Sequence, residues 1–193
     1  QEGLLLQENP YWPGSWFVDV RDPRWVRRVI EDLLPDIMRR GFDGIFIDTL
    51  DNPAHLERTD PETYAGMREA AARLVLTIRH HYPTITIMLN RAYEILPDVG
   101  AQIDMVLGES VFADYDFATK TYQLVQKPLY QQQVEILHAA RASNPHLQVM
   151  TLDYWDPRDE AGIKRIYQEQ RKNGFVPYVA TVELDQIVQE PNP

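Results

Sequence analysis

Carboxylate and amide side chains stand at the ends of five short apolar runs, and their types suit acid–base chemistry. The five runs finish on Asp19, Asp48, Asn90, Glu109 and Asp153. Helix capping or turn formation accounts for many single Asp and Asn residues at the starts of loops. Asn90 and Glu109 have no obvious helix to cap nearby, which favours a shared functional position for the set.

Two carboxyl groups in such positions fit the hydrolysis of a glycosidic bond. One acid protonates the leaving oxygen, and one carboxylate attacks the sugar carbon or activates water. A carboxyl group in apolar surroundings has a raised pKa and stays protonated as the acid. We assign the acid/base role to Glu109 and the nucleophile role to Asp48, with Asp51 as the alternative nucleophile.

Aromatic residues near the run ends fit a sugar site, because flat rings stack on the C–H faces of sugars. Tyr11, Trp12 and Trp16 cluster around the start of the first run, and Tyr154 and Trp155 follow the fifth. Core packing or loop anchoring is the alternative for each ring. The predicted substrate-binding residues are Trp16, Asp19, Asp51, Asn90, Asp153, Tyr154 and Tyr178.

Other classes of site lack their sequence signals. His80 and His81 are adjacent, so they do not share one helix face, and no H-E-x-x-H motif is present. The chain has no G-x-S-x-G motif and no glycine-rich phosphate loop. It has no cysteine, which excludes disulfides and thiolate metal sites. We therefore predict neither a metal site nor a cofactor.

The apolar runs are rich in Ile, Val, Phe and Leu and are typical of buried strands. The predicted strands are 15–19, 44–48, 84–90, 105–109, 148–153 and 176–180. Amphipathic segments between them predict helices that begin at Asp-Pro pairs, where Asp caps and Pro takes the first turn. These starts are at residues 22, 60 and 156, with a further helix over 128–142 and a shorter one within 91–100. Pro35 interrupts the first helix and predicts a bend or a split.

The alternation of strands and helices predicts an α/β fold with a parallel sheet. An open, doubly wound sheet is the alternative, but the phosphate-binding loop usual for that fold is missing. A TIM-barrel-like (β/α)8 fold would bring all strand ends to one face, where its active site lies. Six strand candidates are too few to close such a barrel, so we expect one domain over 1–193 that lacks its first strands.

The composition limits the partners. The formal net charge is −10, which repels nucleic acid and attracts a cationic polymer, although it also fits plain solubility. No apolar run is long enough for a membrane span, and no signal peptide is visible. We predict a polysaccharide partner, which the negative charge would attract if the polymer is cationic, and no nucleic acid.

One run of residues resembles a known family. The sequence GFDGIFIDTLD at 41–51 resembles the signature of the endo-α-1,4-polygalactosaminidase family, glycoside hydrolase family 114, and of the related Pel polysaccharide hydrolase domain. Shorter pieces agree in order at 12–21, 89–91, 108–110, 174–178 and 184–185. The resemblance covers nearly the whole chain, and the first run is its most specific part.

The resemblance implies a TIM-barrel-like, endo-acting hydrolase of α-1,4-linked galactosamine or N-acetylgalactosamine polymers. It implies that the catalytic acids are Glu109 and Asp48, or Asp51 in a shifted alignment, and that Asn90 lines the sugar site. It also implies an extracellular or periplasmic location. Two alternatives stay open: a non-catalytic carbohydrate-binding protein, and a metal-assisted sugar isomerase or lyase with a divalent ion on the strand-end carboxylates.

Overall fold

The computed structural model of the protein describes residues 3–10 and 12–191. Tyr11, which belongs to the predicted aromatic cluster, lies outside the described residues. Contacts divide the chain into two compact units, an amino-terminal unit that ends at Ile103 and a carboxy-terminal unit that begins at Asp104.

The amino-terminal unit contains one antiparallel and one parallel pair of strands. Strand β1 (Leu5–Glu8) pairs antiparallel with β2 (Trp16–Val18), and β3 (Gly44–Ile47) pairs parallel with β4 (Thr86–Asn90). The prediction of a parallel strand at 15–19 is therefore wrong. The hydrogen bond from Asn9 N to Ser15 O joins the two strands where the chain reverses direction, and such a reversal makes neighbouring strands antiparallel.

The first helical segment begins where the sequence predicts and is interrupted near its proline. The Asp22 side chain accepts a hydrogen bond from Arg24 N and caps α1 (Pro23–Arg27). A π-helical stretch over Arg28–Leu33 follows, and then α2 (Leu34–Arg39). Because Pro35 lacks an N–H, the regular helical bond at this position is missing, and the expected interruption is confirmed.

The next two helices correct a predicted boundary. Helix α3 (Asn52–Thr59) was not predicted, and Asp60 ends it instead of starting a new helix. The Asp60 carboxylate accepts from Thr63 N in the following turn, and α4 (Met67–His81) begins after Gly66. One face of α4 is buried, namely Met67, Ala70, Ala71, Leu74, Val75 and Ile78, which recur at helical spacing. A short helical region completes the unit, with 3-10 turns Tyr93–Ile95 and Gly100–Gln102 around α5 (Leu96–Val99).

The carboxy-terminal unit is built on three parallel strands in the order β5 (Met105–Glu109), β8 (Gln148–Tyr154) and β9 (Val176–Ala180). An antiparallel hairpin that was not predicted, β6 (Ala113–Asp116) and β7 (Thr121–Leu124), follows β5. Its strands alternate polar and apolar residues over only four positions each, which is a weak signal in the sequence.

Two helices complete this unit. Helix α6 (Lys127–Ser143) matches its prediction, and α7 (Glu160–Lys172) begins three residues later than expected. The capping side chain of α7 is Asp159, which accepts from Gly162 N, while Asp156 pairs with Arg158. A core of the unit joins α7 to the strands and the hairpin, and it contains Phe112, Ala113, Ile163, Ile166, Tyr167, Val179 and Val188.

The predicted α/β class is confirmed. Two parallel strands in the amino-terminal unit and three in the carboxy-terminal unit alternate with helices along the chain. Within residues 3–10 and 12–191, none of the helices combines the length and the apolar character that a bilayer crossing requires. A closed barrel stays a prediction.

Candidate active site

Asp48 and Asn90 end two neighbouring parallel strands of the amino-terminal unit. Ile47 on β3 lies opposite Leu89 on β4, so the next residue of each strand comes side by side. The Asn90 side-chain amide donates to Asp48 Oδ1 over 2.9 Å, and Thr49 N donates to the same oxygen over 2.8 Å. Two donors therefore hold an exposed carboxylate in one orientation.

Asp51, the alternative nucleophile, has a different environment from Asp48. It lies just before α3 and is half-buried. Burial raises the pKa of the Asp51 carboxyl above its usual value, and the charges of Glu94 and Asp48 add to this, while Arg91 opposes it. A carboxyl group with a raised pKa is protonated over a wider pH range than an ordinary one. The choice between Asp48 and Asp51 as the nucleophile stays a prediction.

A cavity of about 320 Å³ adjoins Asp48 in the amino-terminal unit. Trp16 and Phe46, both about half exposed, contribute to its lining together with Asp48 and Thr49. The structure thus brings the predicted ring of Trp16 to the same cavity as Asp48. Most of the remaining lining is aliphatic, including Leu50, so the polar contacts available here are few.

Asp19 is engaged by a neighbouring arginine. Arg21 binds both of its carboxylate oxygens, over 2.9 and 2.8 Å, and also donates to the carbonyl oxygens of Thr63 and Ala65. The hydrogen bond from Arg21 lowers the pKa of Asp19 despite partial burial. Asp19 follows an antiparallel strand and not a parallel one, so the argument that placed it with the other strand ends does not apply to it.

Glu109 ends β5 in the carboxy-terminal unit and accepts a hydrogen bond from Tyr154. The phenol oxygen of Tyr154 lies 2.5 Å from Glu109 Oε1. Glu109 lies opposite Leu152 on β8, and Leu152 lies opposite Tyr178 on β9. Because alternate residues of a strand face the same side, Tyr154 shares this face with the other three. The predicted residues Glu109, Tyr154 and Tyr178 therefore share one face of the three strands, and Tyr154 contacts Glu109.

Asp153 faces the other side of the strands and is fully buried. Its carboxylate accepts hydrogen bonds from Phe112 N and Ala113 N over 2.7 and 2.8 Å, and from the Gln170 side-chain amide over 2.6 Å. Burial raises the pKa of Asp153 to about 6, although these donors act in the opposite direction. The contacts suit the positioning of the segment after Glu109, and contact with substrate stays a prediction.

The turn after Glu109 is held by residues that the sequence prediction missed. Ser110 N donates to Leu152 O over 2.8 Å, and Ser110 Oγ donates to Asp114 over 2.7 Å. The Gln133 side chain of α6 donates to Ser110 O over 3.1 Å. Gln133 is buried on the same face of α6 as Leu137 and Ala140. A glutamine at helical spacing from buried apolar residues is the sequence signal that could have identified it.

Strained backbone follows each of three strand ends. Thr49, Arg91 and Ser110 come directly after Asp48, Asn90 and Glu109, and their φ angles are 57°, 52° and 54°. Left-handed φ is uncommon for residues other than glycine and is most unusual for a β-branched threonine. Such strain persists where surrounding contacts require it, and it clusters at functional sites.

The described parts of the chain contain no cluster of three or more His, Asp or Glu side chains arranged to hold a metal ion. Four strand-end carboxylates instead accept hydrogen bonds from protein side chains. Asp48 accepts from Asn90, Glu109 from Tyr154, Asp19 from Arg21, and Asp153 from Gln170.

Similar proteins occur in Deinococcus radiodurans and Thermotoga maritima. The chain is 27% identical to an uncharacterized protein of Deinococcus radiodurans over 190 residues, which are 95% of this chain and 57% of the relative. It is 25% identical to an uncharacterized protein of Thermotoga maritima, covering 94% of this chain and 57% of the relative. The chain thus spans a little over half the length of these relatives.

Solved structures give a similar result. The glycoside hydrolase domain of PelA from Pseudomonas aeruginosa is 26% identical, with a TM-score of 0.82 over 97% of this chain and 72% of that domain. A structure of a glutamate-to-alanine variant of that domain, 24% identical with a TM-score of 0.81, has the same fold over 97% of this chain and 73% of its own length. A family profile for glycoside-hydrolase family GH114 matches residues 1–192, and the chain therefore belongs to this family.

Proposed function

We propose that this chain is part of an endo-acting glycoside hydrolase that cleaves α-1,4-linked galactosamine or N-acetylgalactosamine polysaccharide. Membership of family GH114 and the similarity to the PelA hydrolase domain support the hydrolase class. The observation that carries the proposal is Glu109, which ends a parallel strand and accepts a hydrogen bond from Tyr154. Active sites of parallel α/β folds lie at this end of the strands.

The proposed reaction uses two carboxyl groups. Glu109 gives its proton to the glycosidic oxygen as the bond to the anomeric carbon breaks, and the Asp48 carboxylate forms a new bond to that carbon. Water then attacks the anomeric carbon and gives a proton to Glu109, which releases the sugar and restores Asp48.

The remaining predicted residues are proposed to bind sugar rings or to orient these two groups. Tyr178 shares a face of the parallel strands with Glu109, and Trp16 borders the same cavity as Asp48. Asn90 orients the Asp48 carboxylate through its amide. A polymer with free amines is cationic, and the net charge of −10 would attract it.

The test is digestion of a galactosaminogalactan-type or Pel-type polymer by the wild type and by Glu109→Gln, with products identified by mass spectrometry. We expect shorter oligosaccharides from the wild type and a loss of at least about a hundredfold in rate for the variant, because general acid catalysis contributes roughly that much. Full activity of folded Glu109→Gln would contradict the assignment. Binding of the polymer without any cleavage would favour a carbohydrate-binding protein.

Two further parts of the proposal have their own measurements. The anomeric configuration of the first product, followed by NMR, distinguishes retention, which a covalent bond to Asp48 requires, from inversion.

Because an exopolysaccharide is found outside the cytoplasm, we propose an extracellular or periplasmic location, which fractionation of the source cells would test.

A further inference from the structure

Four aromatic side chains of the carboxy-terminal unit form a continuous series that we call the aromatic row, namely Phe117, Tyr115, Tyr122 and Trp155. The ring centroids of Phe117 and Tyr115 are 5.1 Å apart, those of Tyr115 and Tyr122 are 5.0 Å apart, and those of Tyr122 and Trp155 are 6.5 Å apart. Each separation lies in the range of a favourable ring pair.

Local structure explains how the row is assembled. Tyr115 on β6 and Tyr122 on β7 are directly opposite in the hairpin, so their rings project from the same face. The Asp116 carboxylate accepts from Ala118 N and Thr119 N and so fixes the turn that carries Phe117. The hairpin therefore holds three of the four rings in register.

The inner end of the row is held independently. The Trp155 indole N–H donates to Asp159 Oδ2 over 2.9 Å. Trp155 directly follows Tyr154, whose hydroxyl binds Glu109, so the row begins next to the residue that contacts the proposed acid/base. The row is thus anchored at the end of the same strand, β8, that orients Glu109.

The outer end of the row is unusually exposed. Phe117 is 76% exposed, although Tyr115 touches its ring, and it lies in a hairpin turn where polar residues are the rule. A hairpin closed by Asp116 does not need an aromatic side chain at this position. Exposed apolar groups that adjoin one another mark binding surfaces more often than scattered ones do.

Carboxylates lie near the row, although one of them, Asp156, is paired with Arg158. Burial raises the pKa of the Tyr122 hydroxyl, and the charges of Glu183 and Asp156 add to this effect. Asp159, which binds Trp155, supplies another carboxylate. A ligand that combines flat apolar faces with positive charges fits this arrangement, and a pyranose ring that carries a free amine has both features.

We propose that the aromatic row is a binding subsite for pyranose rings of an amino-sugar polysaccharide. This inference rests on the proposed function and deepens it, since the row would hold a stretch of polymer beyond the bond that is cleaved. Phe117 and Tyr115 supply stacking surface, and the nearby carboxylates pair with amines of the polymer. The row is a binding surface, and none of its rings takes part in bond cleavage.

The experiment measures binding in the full chain with Glu109→Gln, so that cleavage does not interfere. Isothermal titration with a partially de-N-acetylated α-1,4-galactosamine polymer is compared for Glu109→Gln and Glu109→Gln/Phe117→Ala. We expect roughly three- to tenfold weaker binding for the double variant, which is the typical contribution of one aromatic contact. Phe117→Trp in the same background should retain binding and report it by a change in tryptophan fluorescence.

A matched control is Val176→Ala, which also removes an exposed apolar side chain from this unit. Val176 begins β9, at the opposite end of the parallel strands from Tyr154 and Trp155, so its variant should bind normally. The fully N-acetylated polymer should bind more weakly than the amine-bearing one, and added salt should reduce the difference.

The outcomes separate this inference from the proposed function. Unchanged binding after Phe117→Ala, or equal losses for Phe117→Ala and Val176→Ala, overturns the row as a subsite even if the wild type cleaves the polymer. Weakened binding for Phe117→Ala supports the row even if the wild type cleaves nothing. A loss of self-association on Phe117→Ala, measured by sedimentation without any effect on polymer binding, would identify a protein contact instead and overturn the proposal.

Discussion

Tyr154 and Glu109 lie on neighbouring parallel strands, and the Tyr154 hydroxyl donates a hydrogen bond to Glu109 Oε1. The strand register explains this contact, because Glu109 is opposite Leu152 and Tyr154 is two residues further along the same face. Asp153 lies between Leu152 and Tyr154 on β8 and faces the other side, where it accepts hydrogen bonds from the segment after Glu109. Strand β8 thus holds Glu109 from one face and its following turn from the other.

Removing the Tyr154 hydroxyl should impair turnover without unfolding the protein. We expect Tyr154→Phe to lower kcat by about tenfold to a hundredfold, because the Tyr154 hydroxyl stabilises the negative charge that develops on Glu109 as it gives up its proton, and hydrogen bonds to charged groups contribute about 1.5–3 kcal/mol. Steady-state kinetics on the polymer would measure this. Tyr130→Phe is a matched control in the same unit, because its hydroxyl also donates to a carboxylate, that of Glu169. Equal kcat values for the two variants would refute an orienting role of Tyr154.

A negative charge at position 90 should be more harmful than the loss of the amide. Asn90→Ala removes a donor to Asp48, whereas Asn90→Asp brings a second carboxylate to within hydrogen-bond distance of it. Because like charges at that distance repel, we expect Asn90→Asp to be at least about tenfold less active than Asn90→Ala at neutral pH. The control variant Asn144→Asp adds the same charge at the end of α6 and should leave the activity nearly unchanged. The idea fails if Asn90→Asp and Asn90→Ala have equal activity.

Asp153 should make the stability of the protein depend on pH in an unusual direction. Burial raises the pKa of Asp153 from 3.8 to about 6, so the folded state holds this proton more tightly than the unfolded chain does. As pH rises from about 4 to about 6, the contribution of this group to the free energy of unfolding falls, and above that range it is constant. The total change is about 3 kcal/mol, from roughly 1.4 kcal/mol per pKa unit.

Asp153→Asn should abolish this dependence. The free energy of unfolding, from urea denaturation at pH 4 and pH 7, would be compared for the wild type and the variant. Carboxylates with lowered pKa values, such as Asp156, destabilise both proteins equally at low pH, so the difference between the two proteins isolates Asp153. Stability curves that run parallel across this pH range would contradict the prediction.

Replacing Gly162 with a larger residue should destabilise the protein as long as Trp155 is present. A Cβ at Gly162 would lie 2.0 Å from Trp155 Nε1 and 2.4 Å from Asp159 Oδ2, so the indole must move and its hydrogen bond breaks. We expect Gly162→Ala to destabilise the protein by about 1–3 kcal/mol, as overpacking commonly does. Thermal unfolding and near-ultraviolet circular dichroism would report the loss of stability and the displaced ring.

The background variant Trp155→Phe provides the control for Gly162. With the smaller ring, the methyl group that Gly162→Ala introduces meets less obstruction. The Asp159 carboxylate still has to shift, so we expect Gly162→Ala to destabilise this background less than the wild type, and the better helix propensity of alanine should offset part of the remaining cost. A destabilisation that is the same in both backgrounds would mean that Trp155 is not the cause.

Several strand ends could be located from the sequence because strand and turn preferences are local. The apolar runs that finish on Asp48, Asn90 and Glu109 are strands with the predicted carboxyl ends, within one residue. Local preferences also misled the prediction at Asp60, where an Asp-Pro pair marks a turn. The same signals did not distinguish Asp153 from the others, because the side of the strand that a residue faces depends on its pairing.

The amino-acid sequence by itself determined the α/β alternation, the acidic character and the identity of the strand-end carboxylates, since these follow from composition and short-range periodicity. Tertiary structure alone decided which groups hold them. Tyr154 reaches Glu109, and Asn90 reaches Asp48, only through the register of parallel strands whose partners are distant in the chain. The assembly of Phe117, Tyr115, Tyr122 and Trp155 into one row likewise required the hairpin and the end of β8 to meet, because side-chain contacts of this kind depend on the packing of segments far apart in sequence.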